Sequence, residues 1–381
     1  MGRHATQSET EVTTKRRNPG WSPFTVANLA FPLTVAVLAS AANALSGDAL
    51  PQRAVNAGRA PSDNAPALRF DSAKDFAAWQ AALRNRLVKI LALPDGPRQA
   101  LRSSVAPEPA TDLYAIERVE FDAEPGQTVP GYLLRPRAAR PPFPVMICLQ
   151  GHSPGMHISI GRGTTPKEQK SIEGGRDIAL QAVRNGWAAL AIEQRAFGLR
   201  AEKGVSCQDA ALRALLRGRP ITGQRVWDVM RAIDFLATQP DLDMSRVGCM
   251  GNSMGGTVSF YAACVDPRIR LAVVSCSFCT FADSWLSRPH CACGYLPGIL
   301  QIADMPGLAG LIAPQHLLIV AGRKDALARF EGVEEGFRLA QRAFAAAGAA
   351  DHVRLLAADG EHRFYPELAW PAIGEVVRCW K

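Results

Sequence analysis

One serine stands in a turn sequence that could make it a nucleophile. The stretch Gly251-Asn252-Ser253-Met254-Gly255 has the pattern G-x-S-x-G, follows a short apolar run and precedes an apolar helical pattern. A strand, a sharp turn and a helix in this order hold the central hydroxyl exposed above a sheet, beside the helix N-terminus. The glycines are expected because strand and helix approach too closely there for side chains. The alternative is an ordinary Gly-rich turn.

A serine nucleophile needs a general base, and the base needs an acid that orients it. After such a turn the acid should come first and the histidine second, each in a loop that follows a strand. Asp325 follows the apolar run 317–320, and His362 follows the run 353–356. We therefore predict Ser253, Asp325 and His362 as a catalytic triad, the alternative for Asp325 being a solvated turn residue. The competing acids are Asp283 and Asp304, and the competing histidines are His290, His316 and His352.

The chemistry also needs two donors where negative charge develops on the substrate oxygen. The backbone N–H of Met254, directly after the serine, is one candidate. The second should come from the loop Gln150-Gly151-His152-Ser153-Pro154-Gly155, where a glycine lets the backbone turn toward the site. We predict the N–H of His152, with Ser153 as its rival and a flexible Gly-Pro turn as the alternative.

The elements that would position these residues alternate along the chain. Apolar runs predict strands at 118–121, 129–134, 145–149, 187–192, before Gly251, and at 271–274, 317–320 and 353–356. Helical spacing predicts helices at 71–93, near 178–184, and at 224–238, 254–264, 332–347 and 366–380. The first two strands pair as an antiparallel hairpin between Pro-Gly turns. The alternation of the rest predicts an α/β fold with a mostly parallel central sheet and helices on both faces.

Several stretches together carry a family likeness. They are Val129-Pro130-Gly131-Tyr132-Leu133-Leu134-Arg135-Pro136, Arg195-Ala196-Phe197-Gly198, residues 223–234, the serine turn through Gly256, and Gly310-Leu311-Ile312-Ala313-Pro314. Over roughly residues 70–381 the chain resembles the α/β-hydrolases, specifically the bacterial dienelactone-hydrolase-related and acetyl-xylan-esterase-like group. The resemblance implies the α/β-hydrolase fold and the same triad. This chain differs from the group at three places. Related chains have Arg-Gly where this one has Arg195-Ala196, and Arg-Pro where it has Gln315-His316. They also have an aromatic-Pro pair after the acid, which is missing after Asp325.

Residues 276–313 form an irregular insertion before the predicted acid strand, which we expect to cover the pocket as a cap. Trp285, Tyr295 and Leu296 could line the acyl or alcohol site, although a small satellite core explains them equally well. The insertion also holds Cys276, Cys279, Cys291 and Cys293, which could ligate zinc or form a disulfide. The C-x-C spacing is unusual for a structural metal site, so plain packing is preferred. We predict neither a metal nor a cofactor.

The ends of the chain differ from its middle. Lys15-Arg16-Arg17, an apolar run at 29–42 and Ala42-Asn43-Ala44 predict a signal peptide over 1–45, with a disordered tail or an uncleaved anchor as alternatives. Residues 46–67 are interpreted as a linker, and 68–381 as the hydrolase domain, with a helical extension at 68–115. We expect a periplasmic or secreted protein. A cytoplasmic location stays open because nine scattered cysteines do not form a disulfide framework.

The composition excludes some classes of partner. The net charge of +8 comes from dispersed basic residues that do not alternate with aromatics, so we expect no nucleic-acid partner. The apolar run at 29–42 is short for a membrane span and Pro32 interrupts it, so we expect no stable span either. The predicted function is a serine esterase that cleaves a short-acyl or acetylated-sugar ester, with a small molecule or a carbohydrate as its substrate. A serine peptidase of the same fold, or a catalytically silent binding member, remains the alternative.

Overall fold

A nine-stranded sheet runs through this computed structural model, which describes residues 73–96 and 98–380. Its strands are β1 (Ser103–Glu108), β2 (Tyr114–Glu124), β3 (Gln127–Pro136), β4 (Phe143–Leu149), β5 (Ala188–Ile192), β6 (Leu242–Asn252), β7 (Leu271–Ser275), β8 (His316–Gly322) and β9 (Val353–Ala358). Their order is β1-β2-β3-β5-β4-β6-β7-β8-β9. Pairing is antiparallel from β1 to β5 and parallel in the rest. The carboxyl ends of six strands therefore meet at one edge.

Helices cover both faces of the sheet. They are α1 (Ala73–Ile90), α2 (Pro166–Ser171), α3 (Ile178–Arg184), α4 (Cys207–Leu216), α5 (Ile221–Leu236), α6 (Met254–Val265), α7 (Met305–Leu308), α8 (Phe330–Ala346) and α9 (Pro366–Cys379). One core cluster joins one face of the sheet to α1, α5, α6 and α8, and a second joins the other face to α3 and α9. Within β4, Val145 and Ile147 belong to the first cluster and Met146 and Cys148 to the second, as the strand period of two requires.

The predicted fold class is confirmed, and each predicted strand and helix coincides with an observed element. The hairpin pairs β2 with β3 in a register that sets Phe121 opposite Val129. Four of the listed strands and helices were not predicted, namely β1, α2, α4 and α7. Strand β1 is an exposed edge strand without apolar alternation, and α2 and α7 span only six and four residues. Helix α4 lies mostly at the surface, with Ala211 and Ala214 as its buried residues.

The structure does not test the predictions for the N-terminal segments. The signal peptide at 1–45 and the linker at 46–67 lie outside the described residues. Within 73–96 and 98–380, no helix combines the length and the apolar character needed to cross a bilayer.

Candidate active site

Ser253 occupies a strained turn between β6 and α6. Its backbone has φ 59° and ψ −127°, a conformation that costs a non-glycine residue on the order of 1–3 kcal/mol. The turn is fixed because the Ser253 N–H donates to the Ser275 carbonyl of β7 at 2.8 Å. A Cβ on Gly251 would lie 2.3 Å from the carbonyl carbon of Gly255, and one on Gly255 would lie 2.1 Å from Leu149 O. Only glycine at both positions allows α6 to begin this close to the sheet.

Asp325 and His362 are joined by a short contact. Nδ1 of His362 lies 2.7 Å from Oδ2 of Asp325, whose side chain is only 4% exposed. The second carboxylate oxygen, Oδ1, accepts the Leu327 N–H at 2.8 Å. With Nδ1 engaged in this way, Nε2 is the imidazole nitrogen left to exchange a proton with another group.

The loops that carry these two residues are bonded to each other. Because β8 and β9 are parallel neighbours, the loops leave the sheet side by side. The Lys324 N–H donates to Gly360 O at 2.8 Å, and the Tyr365 hydroxyl donates to Glu361 O at 2.5 Å. A Cβ on Gly322 would lie 2.4 Å from Glu361 O, so glycine permits the close approach. The carboxylate and the imidazole are thus held by backbone contacts on both sides.

A cavity of about 250 Å³ brings the candidate groups together. It is lined by His152, Ser253, Met254, Thr257, Cys276, Ser277, Cys279, Ser284, Trp285, Pro289, His290, Cys291, Leu327, Ala328 and His362. Ser253 and His362 therefore face the same space, and so do both predicted donors of the oxyanion site. Asp325 lies behind His362, away from the lining.

The loop after β4 packs directly on the serine. A Cβ on Gly151 would lie 2.8 Å from Asn252 O and 3.1 Å from the Ser253 Cβ, so this contact requires glycine. The buried Glu193 supports the loop from beneath, because its Oε1 accepts Gln150 Nε2 at 2.7 Å and the Met156 N–H at 3.2 Å. His152 lines the cavity, whereas Ser153 is absent from the lining and its hydroxyl donates to Gly155 O at 3.4 Å. Of the two residues weighed for the oxyanion donor, only His152 borders the cavity.

A half-buried arginine near this loop was not predicted. Nη1 of Arg176 lies 3.6 Å from the position that a Cβ on Gly151 would take. Burial lowers the pKa of Arg176. Nothing in the local sequence signals this contact, because the approach depends on how the turn at Ile172–Arg176 meets the β4 loop.

The competing acids are engaged elsewhere. Oδ2 of Asp283 accepts the Thr280 hydroxyl at 3.0 Å. Asp304 caps α7 by accepting the Met305 N–H at 2.6 Å, and burial raises its pKa to about 6. Neither carboxylate makes a hydrogen bond to a histidine in the described part of the chain.

Two of the competing histidines lie at the opposite end of the sheet. His316 begins β8, and His352 precedes β9, so both stand at the amino ends of their strands. Their rings stack with centroids 4.0 Å apart. Neither histidine lines the cavity that Ser253 borders.

His290, in contrast, borders the cavity. Its ring lies 4.3 Å from that of Trp285, and its Nε2 is buried without a hydrogen-bond partner among residues 73–96 and 98–380. Burial lowers the pKa of this imidazole, which favours the neutral ring. His290 is therefore available for a polar contact to a bound molecule.

The insertion at 276–313 supplies more than half of the residues that line the cavity. Only one of the three residues predicted for the pocket is among them. Trp285 lines the cavity as predicted. Tyr295 and Leu296 do not, which corrects their assignment to the pocket. Leu296 is 5% exposed and packs in the main core, and Tyr295 is 40% exposed and packs edge-on against Trp285. The chain turns at Ala292–Gly294, which carries both side chains past the cavity.

The cysteines of the insertion divide between two places. All nine cysteines are unbridged. Cys276 lies beside the acid and the histidine, donates its thiol proton to Arg363 O at 3.2 Å, and has its pKa raised to about 12 by burial. The Cys279 thiol donates to Arg329 O at 3.6 Å. Cys291 and Cys293 lie apart from both, so the four do not form one cluster.

Comparisons with known proteins agree with this architecture. A family model described as the Abhydrolase family matches residues 62–362. YtaP of Bacillus subtilis (strain 168), a protein to which hydrolase activity is ascribed, is 26% identical over 293 residues, covering 74% of this chain and 94% of the relative.

Solved structures share the fold. One ascribed to an acetyl xylan esterase of Bacteroides fragilis NCTC 9343 has a TM-score of 0.68 at 18% identity, covering 83% of this chain and 92% of that one. A glucuronoyl esterase from Solibacter usitatus has a TM-score of 0.61 at 15% identity, covering 84% of this chain and 100% of that one. At these identities the likeness shows the fold alone.

Proposed function

The chain belongs to the Abhydrolase family of α/β-hydrolases, and on that premise we propose that it is a serine hydrolase that cleaves a carboxylic ester through an acyl-enzyme. The observation that carries the proposal is the cavity that Ser253 shares with His362, whose Nδ1 lies 2.7 Å from Asp325. A strained serine, a histidine with one free nitrogen and a buried carboxylate are the parts that such chemistry requires.

In the first half-reaction, Nε2 of His362 takes the proton of the Ser253 hydroxyl while Oγ bonds to the ester carbonyl carbon. The tetrahedral intermediate collapses, the bond from carbon to the alcohol oxygen breaks, and His362 gives its proton to the leaving alcohol. A water molecule then attacks the acyl-serine, losing its proton to His362. When the acyl carbon–Oγ bond breaks, that proton returns to Ser253 and the free acid leaves. Asp325 orients the imidazole throughout and stabilises its charged form.

Negative charge on the carbonyl oxygen is held by backbone donors. Met254 opens α6, and the N–H groups of a first helical turn have no acceptor within the helix. The N–H of His152 is the proposed second donor, because its loop packs on Ser253 through Gly151. Two donors of this kind act where water is excluded, and losing one typically costs about 100- to 1000-fold in kcat.

The substrate class rests on the cavity and on the relatives. A volume of about 250 Å³ accommodates a small acyl group better than a long chain. Two of the similar structures are esterases named for acetyl xylan and for glucuronoyl esters. We therefore propose a short-acyl or acetylated-sugar ester as the substrate, with Trp285 and His290 beside the bound group.

A substrate panel tests this function. It comprises p-nitrophenyl acetate, acetylated xylo-oligosaccharides, a lactone and aminoacyl anilides, each assayed with the wild type, with Ser253→Ala and with the surface control Ser245→Ala. We expect ester turnover by the wild type and the control, with Ser253→Ala reduced to background. Preferred turnover of the anilides would instead establish a peptidase. Absence of turnover on every substrate would contradict the proposal and favour a binding role.

The proposed site of action is the periplasm or the exterior, from the pattern in the first 45 residues. N-terminal sequencing of periplasmic material should then begin near Leu45. An intact Met1 in the cytosolic fraction would contradict this part of the proposal.

A further inference from the structure

Four potential metal ligands meet at the rim of the cavity. They are the imidazole of His152 and the thiols of Cys207, Cys291 and Cys293, and their ligand atoms all lie within 4.8 Å of one another. We propose that these four residues bind one zinc ion, and that the ion fastens the insertion and α4 to the loop after β4. This inference goes beyond the esterase function and does not depend on it.

The donor set and its dimensions suit zinc. Three thiolates and one imidazole form a common structural zinc site, with ligands at about 2.3 Å for sulfur and about 2.0 Å for nitrogen. A tetrahedron of that size has edges of about 3.5 to 3.8 Å, as simple geometry from these bond lengths gives. Nε2 of His152 lies 3.4 Å from Sγ of Cys293, so this edge is already at the required length. The other edges need at most a contraction of about 1 Å.

A buried arginine independently indicates negative charge on the sulfur cluster. Arg225 is only 1% exposed, and its Nη2 donates to Sγ of Cys207 at 3.4 Å and to Arg195 O at 2.6 Å. No carboxylate forms an ion pair with this guanidinium within the described ranges. A buried charge without a counter-charge is costly. Three thiolates around Zn²⁺ carry a net charge of −1, which Arg225 would balance.

The backbone around the cysteines is already tied in place. The Ala292 N–H, between two of the ligands, donates to Gln208 Oε1 at 2.6 Å. The Thr222 hydroxyl of α5 donates to Cys293 O at 2.5 Å. Contacts of this kind orient metal ligands and are a regular part of such sites. The short turn Ala292–Gly294 lets both cysteines of the C-x-C pair face the same point.

The arrangement fits a structural ion rather than a catalytic one. Four protein ligands fill a tetrahedral zinc ion and leave no position for water or substrate. The ligands come from three segments far apart in sequence, namely the β4 loop, the start of α4 and the insertion. His152 and Cys291 also line the cavity. The ion would therefore hold the loop whose His152 N–H we assign to the oxyanion, through the side chain of the same residue.

The experiment begins with metal content. The full-length chain, purified without chelator from zinc-supplemented medium, should contain one zinc per chain. Cys291→Ser with Cys293→Ser should reduce this to below about one-tenth, as loss of two thiolates from such a site implies. The matched control is Cys379→Ser, which removes an exposed cysteine and should keep the zinc. Ser253→Ala should also keep it, so failure of this inference is distinct from failure of the proposed function.

Two measurements on the wild-type protein test the zinc site even if the cysteine variants fold poorly. First, Cys207, Cys291 and Cys293 should resist alkylation until a chelator is added, as mapped by peptide mass spectrometry. Second, the metal-stripped, reduced protein should bind Co²⁺ with thiolate charge-transfer and tetrahedral d–d absorption that saturate at one equivalent. A disulfide joining two of these three cysteines in the purified protein would overturn the proposal. So would zinc unaffected by the double substitution, or a Co²⁺ titration without thiolate absorption.

Discussion

Nδ1 of His362 lies 2.7 Å from Oδ2 of Asp325, although 36 residues separate the two in the chain. The contact follows from the sheet, because β8 and β9 are parallel neighbours whose following loops share backbone hydrogen bonds. The acid is thereby placed behind the imidazole and out of the cavity. This contact supports our proposal that Asp325, rather than Asp283 or Asp304, orients the imidazole.

Replacing Asp325 should strongly reduce turnover. Asp325→Asn keeps the size of the side chain but removes its charge and favours the wrong imidazole tautomer, so kcat should fall by about 10⁴-fold. Asp283→Asn is the control, because Asp283 bonds Thr280 rather than a histidine and should lose less than about 10-fold. Steady-state kinetics on p-nitrophenyl acetate measure both. A large loss confined to Asp283→Asn would show that the acid is misassigned.

The close approach of the β4 loop to the serine makes a second prediction. A Cβ at position 151 would lie 2.8 Å from Asn252 O, so Gly151→Ala must displace the loop and the His152 N–H. We expect kcat to fall by about 100-fold, the scale of a lost oxyanion donor, with a smaller change in KM. Gly174→Ala is the matched control, since a Cβ there meets nothing within 4 Å. Equal kinetics for the two variants would exclude the proposed oxyanion loop.

Ala196 offers a test of stability. This residue has φ 64°, in the left-handed region where a Cβ is unfavourable. Ala196→Gly should therefore raise the free energy of unfolding by about 1 kcal/mol. Ala82→Gly, at an exposed position inside α1, should instead lower it by about 1 kcal/mol. Urea titrations give both values, and the same sign for the two substitutions would refute the argument.

The buried Asp304 predicts a dependence of stability on pH. Burial raises its pKa from 3.8 to about 6, so the protonated form favours the folded state. That contribution is complete below about pH 4 and is lost as pH rises through about 6. The side chain in Asp304→Asn stays neutral at every pH and can still accept the Met305 N–H. This variant should therefore not lose stability as the pH rises through about 6. Between pH 4 and pH 8 the variant should gain on the order of 2 kcal/mol relative to the wild type. Parallel profiles of unfolding free energy would contradict this.

Much of this arrangement could be predicted because local pattern carries it. Continuous apolar runs mark β4, β5, β7 and β8, since strands buried on both faces leave few polar positions. The serine turn, the acid and the histidine each follow such a run. Strand β1 could not be predicted because it is an exposed edge strand, so its sequence lacks the alternation of buried and exposed residues that identifies a half-buried strand.

Contacts between distant segments could not be predicted in this way. The insertion's four cysteines are close in sequence, which suggested one cluster, yet Cys276 lies beside His362 while Cys291 and Cys293 meet His152 and Cys207. No local pattern links position 152 with position 207. Only the packing of α4 against the turn at 292–294 brings these ligands together. Tyr295 fails as a pocket residue for the same reason, because the direction of that turn is set by tertiary contacts.

Reaction with a fluorophosphonate probe, followed by peptide mapping, tests the central claim most directly. The probe captures a serine only when its hydroxyl is activated by a neighbouring base. We predict one covalent adduct per chain, located on Ser253, with labelling strongly slowed in His362→Ala and retained in Ser245→Ala. An adduct on another residue, or no adduct on the folded wild-type protein, would contradict the account.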